Sequence, residues 1–182
     1  MAIIHQASIT PTKQELLETV LGGPVEILGS YRFDDPAGEV GVEAFVVRAG
    51  GRLRHTVFSY RGAPLDDPAA QLVATMEHSA LGRRWVYDGT TDPVALDCFR
   101  RALLGEQEQA VLELWADGER VGTREPTVAL TVAAGEGTAE AADRSTVRVS
   151  DELGPAAGRG PALVATWDGG QAVVAELGPA PR

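Results

Sequence analysis

Residues 40–60 read VGVEAFVVRAGGRLRHTVFSY. Val40, Val42, Ala44 and Val46 alternate with Gly41, Glu43, Phe45 and Val47. That period of two belongs to a strand, with one set of side chains on each face. A second strand-like run, Leu53–Tyr60, follows across Ala49-Gly50-Gly51-Arg52. Consecutive glycines between two such runs predict a tight hairpin and antiparallel pairing. On the second strand His55 shares a face with Val57, a placement expected of a half-buried or edge histidine.

On the N-terminal side, residues 3–9 predict one short strand. A helix follows, opened by Thr12 and Glu15 at capping-box spacing or by a rival start at Thr10-Pro11, with Leu16, Leu17, Val20 and Leu21 on its apolar face. Gly22-Gly23-Pro24 ends it. Val25–Phe33 reads as a strand, and Asp34-Asp35-Pro36-Ala37-Gly38 as the turn into the hairpin.

On the C-terminal side, a proline-punctuated loop over Gly62–Pro68 leads to strands Gln71–Ser79 and Arg83–Tyr87, joined at Leu81-Gly82. Asp92-Pro93 supplies an N-cap and an N1 proline for a second helix, with Leu96, Phe99 and Leu103 buried and Gly105 closing it. Beyond it the chain is β-rich. Gln109–Ala116 and Glu119–Arg124 flank Asp117-Gly118, and Thr127–Ala133 follows. Gly135–Ala142 reads as a small, polar, mobile stretch, Val147–Val149 as a short strand and Gly154–Pro161 as a loop. Ala162–Trp167 and Gln171–Leu177 form a last hairpin, and Gly178–Arg182 a tail. Two helices among many short strands predict an α+β fold, a mainly antiparallel curved sheet packed on two helices with a β-rich C-terminal segment. The division expected is 1–105 and 106–182, packed as one unit.

A chain of 182 residues can bury a core without metal or disulfide staples. Cys98 is the only cysteine and falls inside a helical pattern, where a small core residue is expected. The net charge is −10. Residues 1–105 carry 13 acids against 10 bases, and residues 106–182 carry 13 against 6, so the excess lies in the second part. Such a surface repels phosphate backbones and anionic headgroups, which argues against nucleic-acid and membrane partners. MAIIHQAS lacks the basic n-region of a signal peptide, so a cytoplasmic location is expected. Lys13 is the single lysine and asparagine is absent, a composition typical of GC-rich coding.

Motifs for chemistry are missing. No G-x-x-x-x-G-K-[ST] loop precedes Lys13, no lysine lies on any later strand, and no H-G-D or H-R-D loop occurs. His5, His55 and His78 have no metal-binding spacing, and no G-x-S-x-G elbow or G-x-G-x-x-G fingerprint is present. Asp34-Asp35 and Asp66-Asp67 sit beside prolines as turn formers. No catalytic residue, metal ligand or cofactor is assigned.

Four stretches carry a family resemblance: AIIHQASITPTKQELLETVL (2–21), GSYRFDDPAGEVGVEAFVV (29–47), SYRGAPL (59–65) and MEHSALGRRWVYDGTTDPV (76–94). Together they resemble the N-terminal cap domain of actinobacterial maltokinases. The resemblance implies an antiparallel sheet packed around helices, and a context in maltose, trehalose and α-glucan metabolism. In that family the cap precedes a two-lobed kinase that uses ATP and Mg²⁺ to phosphorylate maltose. From about residue 106 this chain departs from that pattern, so a non-catalytic accessory or interaction protein is expected, with a protein partner or a second copy as its target.

The richest surface chemistry lies in Glu77, His78, Arg83, Arg84, Trp85, Tyr87 and Asp88. On strands, Arg83, Trp85 and Tyr87 share one face, and Arg84 and Val86 the other. Aromatic rings beside arginine and carboxylate suit a sugar, stacking on C–H faces and pairing with hydroxyls. The same set suits first a structural cluster, with Arg84 pairing an acid and Trp85 filling the core, and then a protein interface. A maltose- or α-glucan-binding module is therefore the alternative function.

Overall fold

The computed structural model describes residues 2–5, 8–116, 119–135, 145–154 and 160–179. The hairpin predicted from residues 40–60 is present. Strands β4 (Val40–Ala49) and β5 (Arg52–Arg61) pair antiparallel along their whole length, from Val40 opposite Arg61 to Ala49 opposite Arg52. Gly50 and Gly51 have φ of 55° and 77°. A two-residue turn between twisted strands requires that double positive φ. Strand β3 (Val25–Asp34) pairs with the other edge of β4. Both faces of β4 are covered. Val40, Val42, Ala44 and Val46 enter one core cluster, while Phe45 and Val47 enter a second.

The second cluster lies under helix α1 (Lys13–Leu21). Its capping box is formed: the Glu15 N–H donates to Thr12 Oγ1 (3.3 Å) and the Thr12 N–H to Glu15 Oε2 (2.7 Å). Two amides that the helix cannot pair internally are satisfied in this way. Leu16 and Leu17 pack with Phe58, Met76 and Val86. Val20, expected on the same face, is 44% exposed, because burial is concentrated one turn earlier. Strands β6 (Leu72–His78) and β7 (Gly82–Asp88) extend this side, β7 pairing with β5 over Phe58–Arg61. The single strand expected over residues 3–9 is two. β2 (Ile9–Thr10) pairs with β6. β1 (Ala2–His5) runs parallel to β8 (Leu112–Ala116) in a separate sheet completed by β9 (Glu119–Arg124).

The first cluster surrounds helix α2 (Pro93–Leu103), which follows a 3₁₀ turn at Gly89–Thr91. Ala95, Cys98, Phe99, Ala102 and Leu103 form its buried stripe, with the three-and-four spacing of one helix face. Leu96, expected on that face, is rotated off the stripe and only half-buried. Four more strands close around α2 in the order β10 (Val128–Ala133), β12 (Ala162–Trp167), β13 (Gly170–Pro179), β11 (Ser145–Gly154), all antiparallel. β11 outgrows the short strand expected at Val147–Val149. β13 includes Gly178 and Pro179, expected in a tail, because Thr146 and Ser145 pair with them. The expectations for Asp117-Gly118, for Glu136–Ala142, for residues 155–159 and for residues 180–182 lie outside the described residues. Leu163, Ala165, Trp167 and Val174 share one cluster with Tyr31, Phe33 and Phe99, so residues before and after 106 build a common core. The α+β fold with a mainly antiparallel sheet is observed.

The two sets of strands meet at both edges of α2 through few main-chain bonds. At one junction β5 and β11 share a single bridge, Arg54 with Glu152. Arg54 Nε and Nη2 donate to the carbonyl (3.2 Å) and carboxylate (3.1 Å) of Asp151. His55 completes this junction. Expected half-buried or at an edge, it is instead 4% exposed, enclosed because β11 covers the face that the isolated hairpin would leave open. Its Nδ1–H donates to the Ser150 carbonyl (2.9 Å), which leaves Nε2 to accept from the Tyr31 hydroxyl (2.8 Å). A neutral imidazole offers one donor and one acceptor, and both are used here. Burial pushes its pKa down to about 4, against smaller upward effects of Ser150 and Asp151.

The unfolded chain therefore binds a proton at His55 between pH 6.5 and 4 that the native chain refuses. The His55 contribution to stability is nil well above pH 6.5 and becomes a loss of about 3 kcal/mol as pH drops to 4. Denaturant unfolding of wild type and His55→Gln across pH 4–7 should show a smaller acid loss in the variant; equal slopes would contradict the assignment.

Candidate functional site

The residues singled out from sequence fall on β6, β7 and the turn after it, and they do not converge. Glu77 and Arg83 form an exposed cross-strand ion pair at 2.7 Å. His78 Nδ1 accepts the Ala80 and Leu81 amides (both 3.2 Å), shaping the turn into β7. Trp85 is half-buried on the face of Arg83. Tyr87 shares that face but is buried, its hydroxyl accepting the Leu65 N–H (2.9 Å), which anchors the 62–70 loop. Arg84 occupies the opposite face, with its guanidinium packed where Gly62 lacks a side chain. Asp88 caps the 3₁₀ turn by accepting from the Thr90 amide (2.8 Å) and hydroxyl (2.7 Å). Glu77, Arg83 and Trp85 remain as one accessible surface group.

Sequence reasoning assigns Asp92 a capping role alone. It is fully buried, accepting from Ser59 Oγ (2.5 Å), Arg61 Nε (2.7 Å), Arg61 Nη2 (2.6 Å) and the Val94 amide (2.9 Å). Burial alone would raise this carboxyl, but the bonds from Arg61, Ser59 and Val94 outweigh it and hold its pKa below the usual range. The Asp-Pro signal marks the cap; the strand pairing that swings Ser59 and Arg61 onto it leaves no local trace. Asp92→Ala strands Arg61 beside a void, and urea melts should show a loss of about 3–5 kcal/mol. A loss below about 1 kcal/mol would refute this account.

The second junction around α2 lies between β3 and β10 and holds a cleft of about 530 Å³. Here side chains replace a ladder. The Ser30 N–H donates to Thr127 Oγ1 (2.9 Å), whose hydroxyl donates back to the Ser30 carbonyl (3.3 Å). Gly29 is needed at this approach, because a Cβ there would lie 2.7 Å from Val128 Cγ2. Next along the seam the 107–110 segment wedges between the strands. The Ala110 N–H donates to the Arg32 carbonyl (2.8 Å) and Gln107 Nε2 to that of Asp34 (2.7 Å) on β3. Toward β10, Gln109 Nε2 donates to the Val128 carbonyl (3.0 Å) and its Oε1 accepts the Leu130 N–H (2.6 Å). The amide of Gln109 thus occupies the place of a peptide group. This is why the strand expected from Gln109 begins only at Leu112.

Past Gln109 the seam stays open. Phe33, Ala102, Leu130 and Leu163 line the cleft, and Glu108 and Glu125 are exposed where its walls meet solvent. It is a groove of mixed lining, these apolar side chains beside Gln107, Thr123, Thr131 and Arg124 as well as the two carboxylates, within the size range of ligand sites. Removing the Gln109 amide should leave two β10 groups unpaired. For Gln109→Ala we expect about 1–2 kcal/mol of lost stability and faster hydrogen exchange at the Leu130 amide; unchanged exchange at Leu130 would remove Gln109 from the seam.

Among the described residues no three His, Cys, Asp or Glu side chains gather where a metal could sit, and no helix is long and apolar enough to cross a membrane. The Cys98 thiol is pushed up to about 11 by burial, so it stays protonated at neutral pH. No curated protein and no solved structure matches the chain. The family model described as the maltokinase N-terminal cap domain matches residues 18–92, from within α1 through β3–β7 to the N-cap of α2. Residues 18–92 are thus similar to a maltokinase N-terminal cap domain, and within them Val40, Val42, Ala44, Val46 and Val57 of the β4–β5 hairpin pack in the cluster around α2.

Proposed function

We propose that this chain is a non-catalytic accessory protein of maltose, trehalose and α-glucan metabolism, located in the cytoplasm, which works by docking to a protein partner. The observation that carries the reading is the cap-domain match over residues 18–92. The absence of phosphate-binding and catalytic-loop motifs from residues 1–182 supports the non-catalytic part. In the family a cap serves a kinase, so the partner is a kinase lacking its own cap or a second copy of this chain. Carbohydrate binding would have to rely on Trp85 with Glu77 and Arg83, since Tyr87 is buried and Arg84 lies on the other face.

Two measurements test this. Purified chain incubated with ATP, Mg²⁺ and maltose should release no ADP above background; turnover would overturn the non-catalytic reading. In sedimentation the chain should exceed its 19.2 kDa mass either alone or mixed with maltokinase lobes whose cap has been deleted. A monomer in both samples would overturn docking.

A further inference from the structure

The open seam beside β10 has a feature that the accessory role does not itself require. Along a strand the main-chain N–H and C=O of successive residues point to alternate sides. The Val128 carbonyl and the Leu130 N–H both face Gln109. Ala129, Thr131 and Ala133 therefore face β12, and Val132 turns its N–H and C=O toward the cleft. β10 is the last strand of its sheet on that side, and among the described residues no strand pairs with it there. Val132 is also 46% exposed, and Val111 across the opening is 60% exposed. A ladder position is vacant beside a partly apolar groove, one step beyond the place where Gln109 already stands in for a peptide.

We infer that this edge accepts an extended peptide of a partner protein by strand addition, with an apolar side chain in the groove and basic side chains toward Glu108 and Glu125. The Gln109 pairing supports the geometry, since a side-chain amide already satisfies β10 at the preceding position in the manner of a β-strand. The charge of the occupant follows from the margin. Glu108 and Glu125 outweigh Arg124 there, on a chain whose net charge is −10. Two copies meeting edge to edge would bring these carboxylates together, so a heterologous basic strand fits better than self-pairing. The inference rests on the docking role proposed above, in its form with a partner other than a second copy, and names the surface that would perform it.

The test uses the full chain and two amide-capped peptides, KVTVK and EVTVE, titrated with NMR detection of backbone amides. KVTVK should slow hydrogen exchange at Val132 and bind at least tenfold more tightly than EVTVE. Val132→Pro, which deletes the N–H at an edge where proline is tolerated, should abolish protection of the neighbouring amides. Glu108→Lys with Glu125→Lys, which leaves the backbone edge intact, should reverse the preference between the peptides. No perturbation near Val132 by KVTVK, equal binding of both peptides, or shifts there with maltose but not with peptide would each overturn the inference. A sedimentation complex that persists when KVTVK fails would overturn this edge alone and leave the accessory role standing. A monomer in sedimentation despite peptide capture would do the reverse.

Discussion

The burial of α2 is the constraint on which the remaining architecture depends. Its stripe of Ala95, Cys98, Phe99, Ala102 and Leu103 is too wide for the β3–β4–β5 sheet alone, and the core around it draws on seven strands. Phe99 sits at the centre, edge-on to Phe33 at 5.1 Å and to Tyr31 at 6.4 Å, with the His55 ring at 6.2 Å. Burying a phenylalanine or leucine contributes about 1.5–3 kcal/mol. A junction hydrogen bond contributes about 1 kcal/mol net. Packing on α2 therefore supplies most of the energy that holds the two sets of strands together, while the bonds at their edges decide how they align.

Those edge bonds share a physical logic. Sheets that wrap a helix must bring edges together without continuous register, and unpaired main-chain groups near a core are costly. Arg54 and His55 satisfy β11 at one junction; Thr127, Gln109 and the 107–110 segment satisfy β3 and β10 at the other. His55 is suited to its place because a neutral imidazole donates at Nδ1 and accepts at Nε2, bridging Ser150 on β11 and Tyr31 on β3. Asp92 acts comparably at the start of α2, joining the helix N-terminus to Ser59 and Arg61 on β5. The helix is thus located along its axis by a buried charge pair and radially by apolar contacts.

Much of this fold is legible locally. The Gly50-Gly51 hairpin, the Thr12/Glu15 capping box, the Asp92-Pro93 helix start and the Asp35 turn each depend on a few neighbouring residues. Asp35 accepts the amides of Ala37, Glu39 and Val40 as its position before Pro36 anticipates. The site is less legible. Alternation along the Glu77–Asp88 stretch already separates Arg84 from Trp85 in the sequence, but the burial of Tyr87, on the same face as Arg83 and Trp85, appears only in the fold. Conversely, Gln109 reads in the sequence as the ordinary first residue of a strand. Its role arises from Val128 and Leu130, which stand 19 and 21 residues away.

The sequence by itself determined the secondary elements that rest on short-range chemistry, a cap-like resemblance read over residues 2–105 of which 18–92 match the family model, and the lack of phosphotransfer motifs. Periodicity and turn residues report the local conformational preferences of a chain, and those are set within a few residues. The tertiary structure decided which faces are buried twice, where His55 and Asp92 find their partners, and where the strand edges fail to meet. Those outcomes depend on approach between segments distant in the chain, about 30 residues for Asp92 with Ser59 and Arg61 and nearly 100 for β5 with β11 and β3 with β10, and side chains that meet across such spans carry no periodic signal of it.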